Sequence, residues 1–404
     1  GQELYQFDAY GRHLRTVDTL TATPIYTFTY NTEGLLSEVE DRDGDVTVIE
    51  RTDDITPTAI VAPFGQRTAL AVNAHGYLSS IADPVSNAHT FMYTSDGLLE
   101  TLTDPRSNVS TYQYDPLGRL IQDVNPTGGH TDLTRSESRT AYTATVSTPE
   151  GLTTTYQADF LDTGEQTRIN TFPNGVQHQS IIGVDVSAGI TFADGSQVYE
   201  RLGADARFGL QAPVLVEQTL ATPNGRTREL TQARTVTMNV PDQPLSMDAL
   251  TDTLTVNGRP YTQIYDAATR TWTWTTPEDR TSQLSLNEQG RLSSLYVTGM
   301  ETTAFSYDDH GRLDQIVQGT RQTTLSYDPS SGYLQSRTDA LGNITAYVHD
   351  AAGRLSARTL PNGATWSTAW DGNDNLTTLT EPDGSTQHVF TYTLDNRLGL
   401  YRSP

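Results

Sequence analysis

Eight histidines, several runs of acidic side chains and two pairs of tryptophans are the residues whose types and spacing could do chemistry in this chain. The histidines stand at 13, 75, 89, 130, 178, 310, 349 and 388, and no two share the i, i+4 spacing by which a helix offers two imidazoles to one zinc ion. His75 and His310 each precede a glycine, where a turn accepts any polar residue. Asp41, Asp43 and Asp45, like the run Asp371, Asn373, Asp374 and Asn375, have the composition of a calcium loop. Neither run has the glycine and the closing glutamate of that loop, so both read as solvated turns with at most weak calcium binding. The acid pairs Asp53-Asp54 and Asp308-Asp309 could serve acid–base chemistry only in a cleft that raises one of the two. Neighbours on a strand point to opposite faces, which argues against such a pair. Trp272 and Trp274 share a face of a Thr-rich strand, and Trp366 and Trp370 flank another strand start. These four are candidates for stacking on a sugar ring or cargo, or equally for the cross-strand packing that hairpins need.

There is no cysteine and no lysine. Zinc thiolates, disulfides, thiol nucleophiles, Schiff-base lysines and phosphate-loop lysines are therefore excluded within the chain. Gly-x-Ser-x-Gly and Gly-x-Gly-x-x-Gly are missing as well. The expectation is no catalytic residue, no cofactor and no metal site. With 26 basic against 49 acidic residues in 404, a formal charge of -23, and no basic cluster, the chain has no nucleic-acid footprint. No apolar run approaches a membrane span and Gly1 opens no signal sequence, so no membrane insertion by this segment is expected and the chain reads as a piece of something longer.

The elements that must carry these residues are set by a repeat. In blocks of about 21 residues the phrase runs aromatic or β-former, Asp/Asn/Thr, two variable residues, Gly, often Arg, then Leu. The best copies are Tyr114-Asp115-Pro116-Leu117-Gly118-Arg119-Leu120 and Tyr307-Asp308-Asp309-His310-Gly311-Arg312-Leu313. Others pair Tyr30 with Gly34, Tyr93 with Gly97, Tyr327 with Gly332, and His349 with Gly353 and Arg354. Further copies begin at Phe7, Trp370 and Tyr392, and weaker ones at Val72 and Leu286. The aromatic ends a β-forming run, Asp starts a turn by bonding local backbone, and Gly supplies a positive φ. Leu313 with Ile316, and Leu292 with Leu295, break strict alternation, which predicts a bulge just after the glycine. A second turn signal, as at Asp43-Gly44 or Pro361-Asn362-Gly363, closes each unit. Two short strands and two turns per unit make a meander of hairpins with scarce helix.

The phrase, its spacing and the Gly-Arg-Leu ending resemble the YD repeats of bacterial Rhs proteins, insecticidal ABC toxin complexes and teneurins. The resemblance covers 1–130 and 284–398 clearly. Residues 131–283 read as degenerate repeats of the same shell, with Asp205-Ala206-Arg207-Phe208-Gly209 placed in it, giving three segments, 1–130, 131–283 and 284–404, of one architecture. Asp115-Pro116-Leu117-Gly118 has the letters of the signature beside the self-cleavage site of many Rhs proteins. It continues into an ordinary repeat, so that role is not carried over.

The resemblance implies an all-β fold in which the hairpins form a spiralling, hollow, shell-like sheet. About 19 units of two strands at roughly 4.8 Å per strand give a strip near 180 Å, roughly 60 Å across if closed once, too wide for side chains to fill. An apolar content of about 38%, counting Gly and not Tyr, suits a thin wall with one wet face. The expected function is a non-catalytic shell segment of a secreted Rhs-type toxin, enclosing a C-terminal effector or joining neighbouring shell segments. The alternatives are a secreted or cell-surface scaffold binding carbohydrate or a surface partner, and an enzyme acting on polysaccharide through gathered Tyr, His and Arg. Exposed end strands at 1–20 or 385–404 predict a capping partner or self-association.

Overall fold

Thr-rich runs ended by an aromatic and restarted by Leu leave the backbone one good solution, short strands joined by tight turns. The computed structural model describes residues 3–404, which contain 36 strands and no helix. Gly1 and Gln2, part of the expected exposed end at 1–20, lie outside the described residues. Strands pair antiparallel with their sequence neighbours, in runs such as Ala88–Tyr93 with Leu99–Thr103, then Val109–Tyr114, then Leu120–Val124.

Most Tyr-to-Leu phrases share one geometry, seen at Tyr114. The Asp115 amide donates to the Arg119 carbonyl and the Gly118 amide to the Asp115 carbonyl, with Gly118 at φ +77. This is a three-residue loop ended by a left-handed glycine. The Tyr327 loop is one residue longer, with the Asp328 amide donating to the Tyr333 carbonyl, and after Trp370 and Tyr392 the left-handed place is held by Asp374 and Asn396. One carboxylate oxygen of Asp115 accepts from the amides of Leu117 and Arg119, and the other from Nε of Arg119. Asp8, Asp308 and Asp350 repeat the pattern with Arg12, Arg312 and Arg354. The second turns reuse it with Asn in place of Arg: Asn87 on Asp83, Asn108 on Asp104 and Asn343 on Asp339. At Ser86 and Ser107 a serine holds the left-handed position, φ 72 and 66.

The predicted bulge is present. Tyr307 faces Leu313 and Ser306 faces Gln315, so Asp314 is the extra residue, and Leu313 and Ile316 come to one side. The same slip follows Tyr30, Val72, Tyr93, Tyr114, Leu286, Tyr327, His349, Trp370 and Tyr392. Where the extra residue is Ser37, Ser293, Ser356 or Thr377, its hydroxyl donates to the carbonyl across the slip, at 3.0–3.1 Å.

Successive repeats are tied by the aromatic. Tyr93 donates its hydroxyl to the Leu78 carbonyl, Tyr114 to Leu99, Tyr327 to Leu313 and Tyr392 to Leu376, each at 2.8–2.9 Å. Tyr30 does the same to His13, which holds the Leu place of the copy begun by Phe7. The Arg312 guanidinium then lies 4.4 Å over the ring of Tyr327 in the next repeat.

The chain packs as two units. One comprises Tyr5–Val17, Pro24–Gly129 and Thr303–Pro404. Within it, turns of the earlier stretch meet turns of the later one. Nδ1 of His310 lies 2.7 Å from Oδ1 of Asp45, Gln66 donates to the Ser331 carbonyl, and Nε of Arg106 lies 3.6 Å from Oδ2 of Asp371. In all three the partners stand 265 residues apart, so the seam has a fixed register. Phe64 packs over Gly332, where a Cβ would collide with its ring. The other unit, chiefly Asp18–Thr23 and His130–Thr302, contains the longest strands, Gly209–Ala221, Thr227–Met238 and Met247–Val256. Its buried cluster of Met247, Leu250 and Tyr265, flanked by Leu20, Val236 and Trp272, contains the two largest fully buried side chains among the described residues, Tyr265 and Leu250.

Replacing Tyr114 by Phe should lower stability by about 0.5–1.5 kcal/mol, the worth of one hydrogen bond, and Gly118→Ala by about 1–2 kcal/mol through its positive φ. Ser107→Gly should act in the opposite direction, and urea midpoints check all three signs. Hydrogen bonds from Ser330 and Ser331 hold Asp328 down at about 2, and those from Thr386 and Ser385 do the same for Asp383. Both carboxyls are depressed in the folded chain, so their contribution is complete above the ordinary carboxylate value and is lost as pH falls through the folded one. The melting temperature should therefore hold steady above about pH 5 and drop between about pH 4 and 2.

Candidate functional site

A buried network of one guanidinium and two carboxylates is built by register. Arg234 on Thr227–Met238 stands opposite Asp252 on Met247–Val256, which stands opposite Gln263 on Arg259–Asp266, which stands opposite Trp274. The next row on that face is Val236, Leu250, Tyr265 and Trp272. A polar row and an apolar row thus lie side by side. Arg234 grips Asp252 with two hydrogen bonds, 2.7 and 2.8 Å, and reaches Oδ2 of Asp205 at 3.0 Å. Asp205 ends the strand Gln197–Asp205, and its other oxygen accepts from the amides of Arg207 and Phe208. Nη1 of Arg207 donates to the Thr19 carbonyl at 2.6 Å, which brings the 205–209 hairpin tip together with the Asp18–Thr23 turn. Two register slips bend the strand ahead of that tip.

The Asp205 side chain is 0% exposed. Burial pushes its carboxyl up, and the amides of Arg207 and Phe208 with Arg234 more than reverse this, leaving it below the ordinary value. Hydrogen bonds to Asp252 lift Arg234 above its ordinary value against burial. Burial lowers Arg207 despite the nearby Asp205 charge. Above this network is a cavity of about 520 Å³, lined by Thr19, Leu20, Arg207, Gln232, Arg234, Leu250, Asp252, Gln263 and Trp272.

Of the stacking candidates, Trp272 reaches this cavity, 5.0 Å from the Tyr265 ring and 6.1 Å from Trp274 in a stacked pair. Trp366 and Trp370 both lie within the strand Thr365–Trp370 and do not flank its start, because the strand runs on to the aromatic of the next phrase. Trp370 stands where other repeats have Tyr, and its Nε1 donates to the Leu355 carbonyl at 2.8 Å. The repeat-defining Asp and Arg residues are occupied with one another in turns, including Asp115, Arg119, Asp308, Arg312 and Arg354. The acid pairs Asp53-Asp54 and Asp308-Asp309 are turn residues, so strand alternation does not separate them as expected; Asp53 and Asp54 are both left-handed, at φ 53 and 58. Asp41 and Asp371 accept turn amides from residues two and four further on. His388 links the Tyr401 hydroxyl, 2.7 Å from Nδ1, to Glu381, 3.0 Å from Nε2. That Tyr–His–Glu chain lines neither this cavity nor the smaller one, about 360 Å³, around Tyr333 and His349.

Sequence reading missed Asp205, Arg234 and Asp252 as a group. Its one signal was the degenerate repeat around them, where turn spacing lengthens and charged residues sit inside Thr-rich strands.

A family model described as Teneurin YD-shell matches residues 1–403. Human teneurin-1 is 29% identical over 208 residues, covering 49% of this chain and 7% of that protein. Teneurin-1 of Gallus gallus is 36% identical over 80 residues, 20% of this chain and 3% of that one. The chain thus matches only a small fraction of its curated relatives' length. Among solved structures, a Photorhabdus luminescens Tc holotoxin pore mutated in its TccC3 component is similar at 16% identity and TM-score 0.43, covering 98% of this chain and 24% of that chain. A TcdB2–TccC3 complex without its hypervariable C-terminal region gives 14% identity and TM-score 0.48, again with 98% and 24% covered.

Removing Arg234 alone leaves two carboxylates facing each other out of water. R234M should destabilise the protein by about 3–5 kcal/mol, and adding D252L with D205N, which removes the charge but keeps an oxygen for the amides of Arg207 and Phe208, should recover much of the loss. Urea unfolding followed by tryptophan fluorescence reads both, and a single variant as stable as the parent would contradict the assignment.

Proposed function

This chain belongs to the Teneurin YD-shell family, and on that premise we propose that it is a non-catalytic wall segment of a secreted or cell-surface hollow container that sequesters a C-terminal effector or joins neighbouring shell segments. The observation that carries this reading is exposure. The chain presents 23623 Å² to solvent, against about 15,500 Å² for an ordinary folded monomer of its mass. Among the described residues the buried apolar side chains are few: Val17, Ala59, Ala158, Leu230, Met247, Leu250 and Tyr265. A wall one sheet thick has that signature, since both faces meet solvent or contents. The repeat-to-repeat tyrosine bonds supply cohesion along such a wall, and the turn seam supplies it across.

In this reading 1–130 and 284–404 are wall, and 131–283 is wall thickened by a covered face. The carboxylates that catalysis would recruit are engaged by turn amides and arginines, which supports a non-catalytic role. A second reading, a scaffold that binds carbohydrate, is favoured by the cavity beside Trp272.

Small-angle scattering tests the container. A solid globule of 404 residues has a radius of gyration of about 21.5 Å. A larger value is expected, with a distance distribution skewed towards long vectors, and a value at or below the solid one would remove the reading.

A further inference from the structure

The smaller cavity, about 360 Å³, lies where one repeat departs from its neighbours. In the copy that runs Gly76-Tyr77-Leu78, the Tyr93 hydroxyl reaches the Leu78 carbonyl at 2.8 Å, and the Tyr77 and Tyr93 rings stack 5.1 Å apart. Gly332-Tyr333-Leu334 repeats that sequence at the same spacing, except that His349 stands where Tyr93 would. Its imidazole keeps the ring contact, 5.4 Å from Tyr333. It makes no hydrogen bond among the described residues, and no side chain among them donates to the Leu334 carbonyl. Imidazole is the smaller ring and has no hydroxyl to reach that oxygen. The cavity opens in the gap, lined by His349 and Leu334 together with Tyr333 and Tyr347.

We propose that this cavity binds a small phenol that carries no negative charge. The ligand ring takes the space a tyrosine ring fills in the sister repeat, against Tyr333, and its hydroxyl donates to the Leu334 carbonyl. The volume of about 360 Å³ is within the range of small-molecule sites, about 300–1,000 Å³, and admits a short substituent beside the ring. Asp328 and Asp350 border the cavity and no arginine does. Asp350 is paired with Arg354, whereas Asp328 accepts only from Ser330 and Ser331, so an anionic ligand is repelled. A plain hydrocarbon ring would fill the space and leave the carbonyl unanswered. This goes beyond the container reading and does not depend on it.

The test is titration of the full 404-residue chain with p-cresol, toluene and 4-hydroxybenzoate, followed by calorimetry and by the histidine ring signals in NMR. The His349 signal is assigned by its loss in His349→Gln. Saturable p-cresol binding is expected, at least about fivefold tighter than toluene from one neutral hydrogen bond, and tighter than 4-hydroxybenzoate. The His349 signal should shift along the same curve. His349→Tyr supplies the missing ring and hydroxyl from within, so it should abolish the p-cresol heat. If His349→Tyr does not fold, the His349 signal of the parent decides alone. No saturable p-cresol heat overturns the proposal. So does toluene or 4-hydroxybenzoate binding as tightly as p-cresol, a His349 signal unmoved at saturation, or parental p-cresol affinity in His349→Tyr.

Discussion

A sheet with solvent on both faces has almost no interior, so the hydrophobic effect cannot be its main source of cohesion. What remains is the directed contact between one hairpin and the next. The backbone ladder from strand to strand supplies most of it, and the tyrosine hydroxyl that reaches back to a carbonyl of the preceding repeat adds a side-chain tie, recurring from Tyr30 to Tyr392. The slip after each glycine breaks the backbone ladder there, and a bulge hydroxyl such as that of Ser356 answers the carbonyl across it. Local irregularity and long-range order have the same cause. The bulge that disrupts alternation also keeps Leu313 and Ile316 on one face.

The unit built from His130–Thr302 follows a different economy of contacts. Its strands are longer, its turns are further apart, and one face is roofed by the 205–209 hairpin tip. Roofing removes water, so the charges beneath must answer each other: Arg234 bridges Asp205 and Asp252, and Arg207 supplies the second positive charge beside Asp205. Arg207 closes that balance from the hairpin tip while holding the Thr19 carbonyl, so one side chain serves both the charge and the roof.

Much of the fold was legible because its information is local. Tyr114 to Gly118 spans one turn, and the spacing from Tyr93 to Tyr114 spans one repeat, both within a short stretch of sequence. The second turns were only partly legible, since Ser107 takes the left-handed position where a reader looks for glycine and Asn108 takes over the part of Arg119. The buried network was not legible. Asp205 and Arg234 are 29 residues apart and Arg234 and Asp252 are 18 apart, and only strand register makes them neighbours. Trp272 and Trp370 look alike in sequence, yet one borders the cavity and the other stands in for a repeat tyrosine. The difference lies in what each ring nitrogen or face meets, which composition does not encode.

The seam joins turns and not strands: Asp45 meets His310, Gln66 meets Ser331 and Arg106 meets Asp371. Because Asp308 and Asp371 already fix their own loops through local amides, these teeth are cut before the two stretches meet. Each tooth then engages a different partner, so blunting one leaves its neighbours fastened.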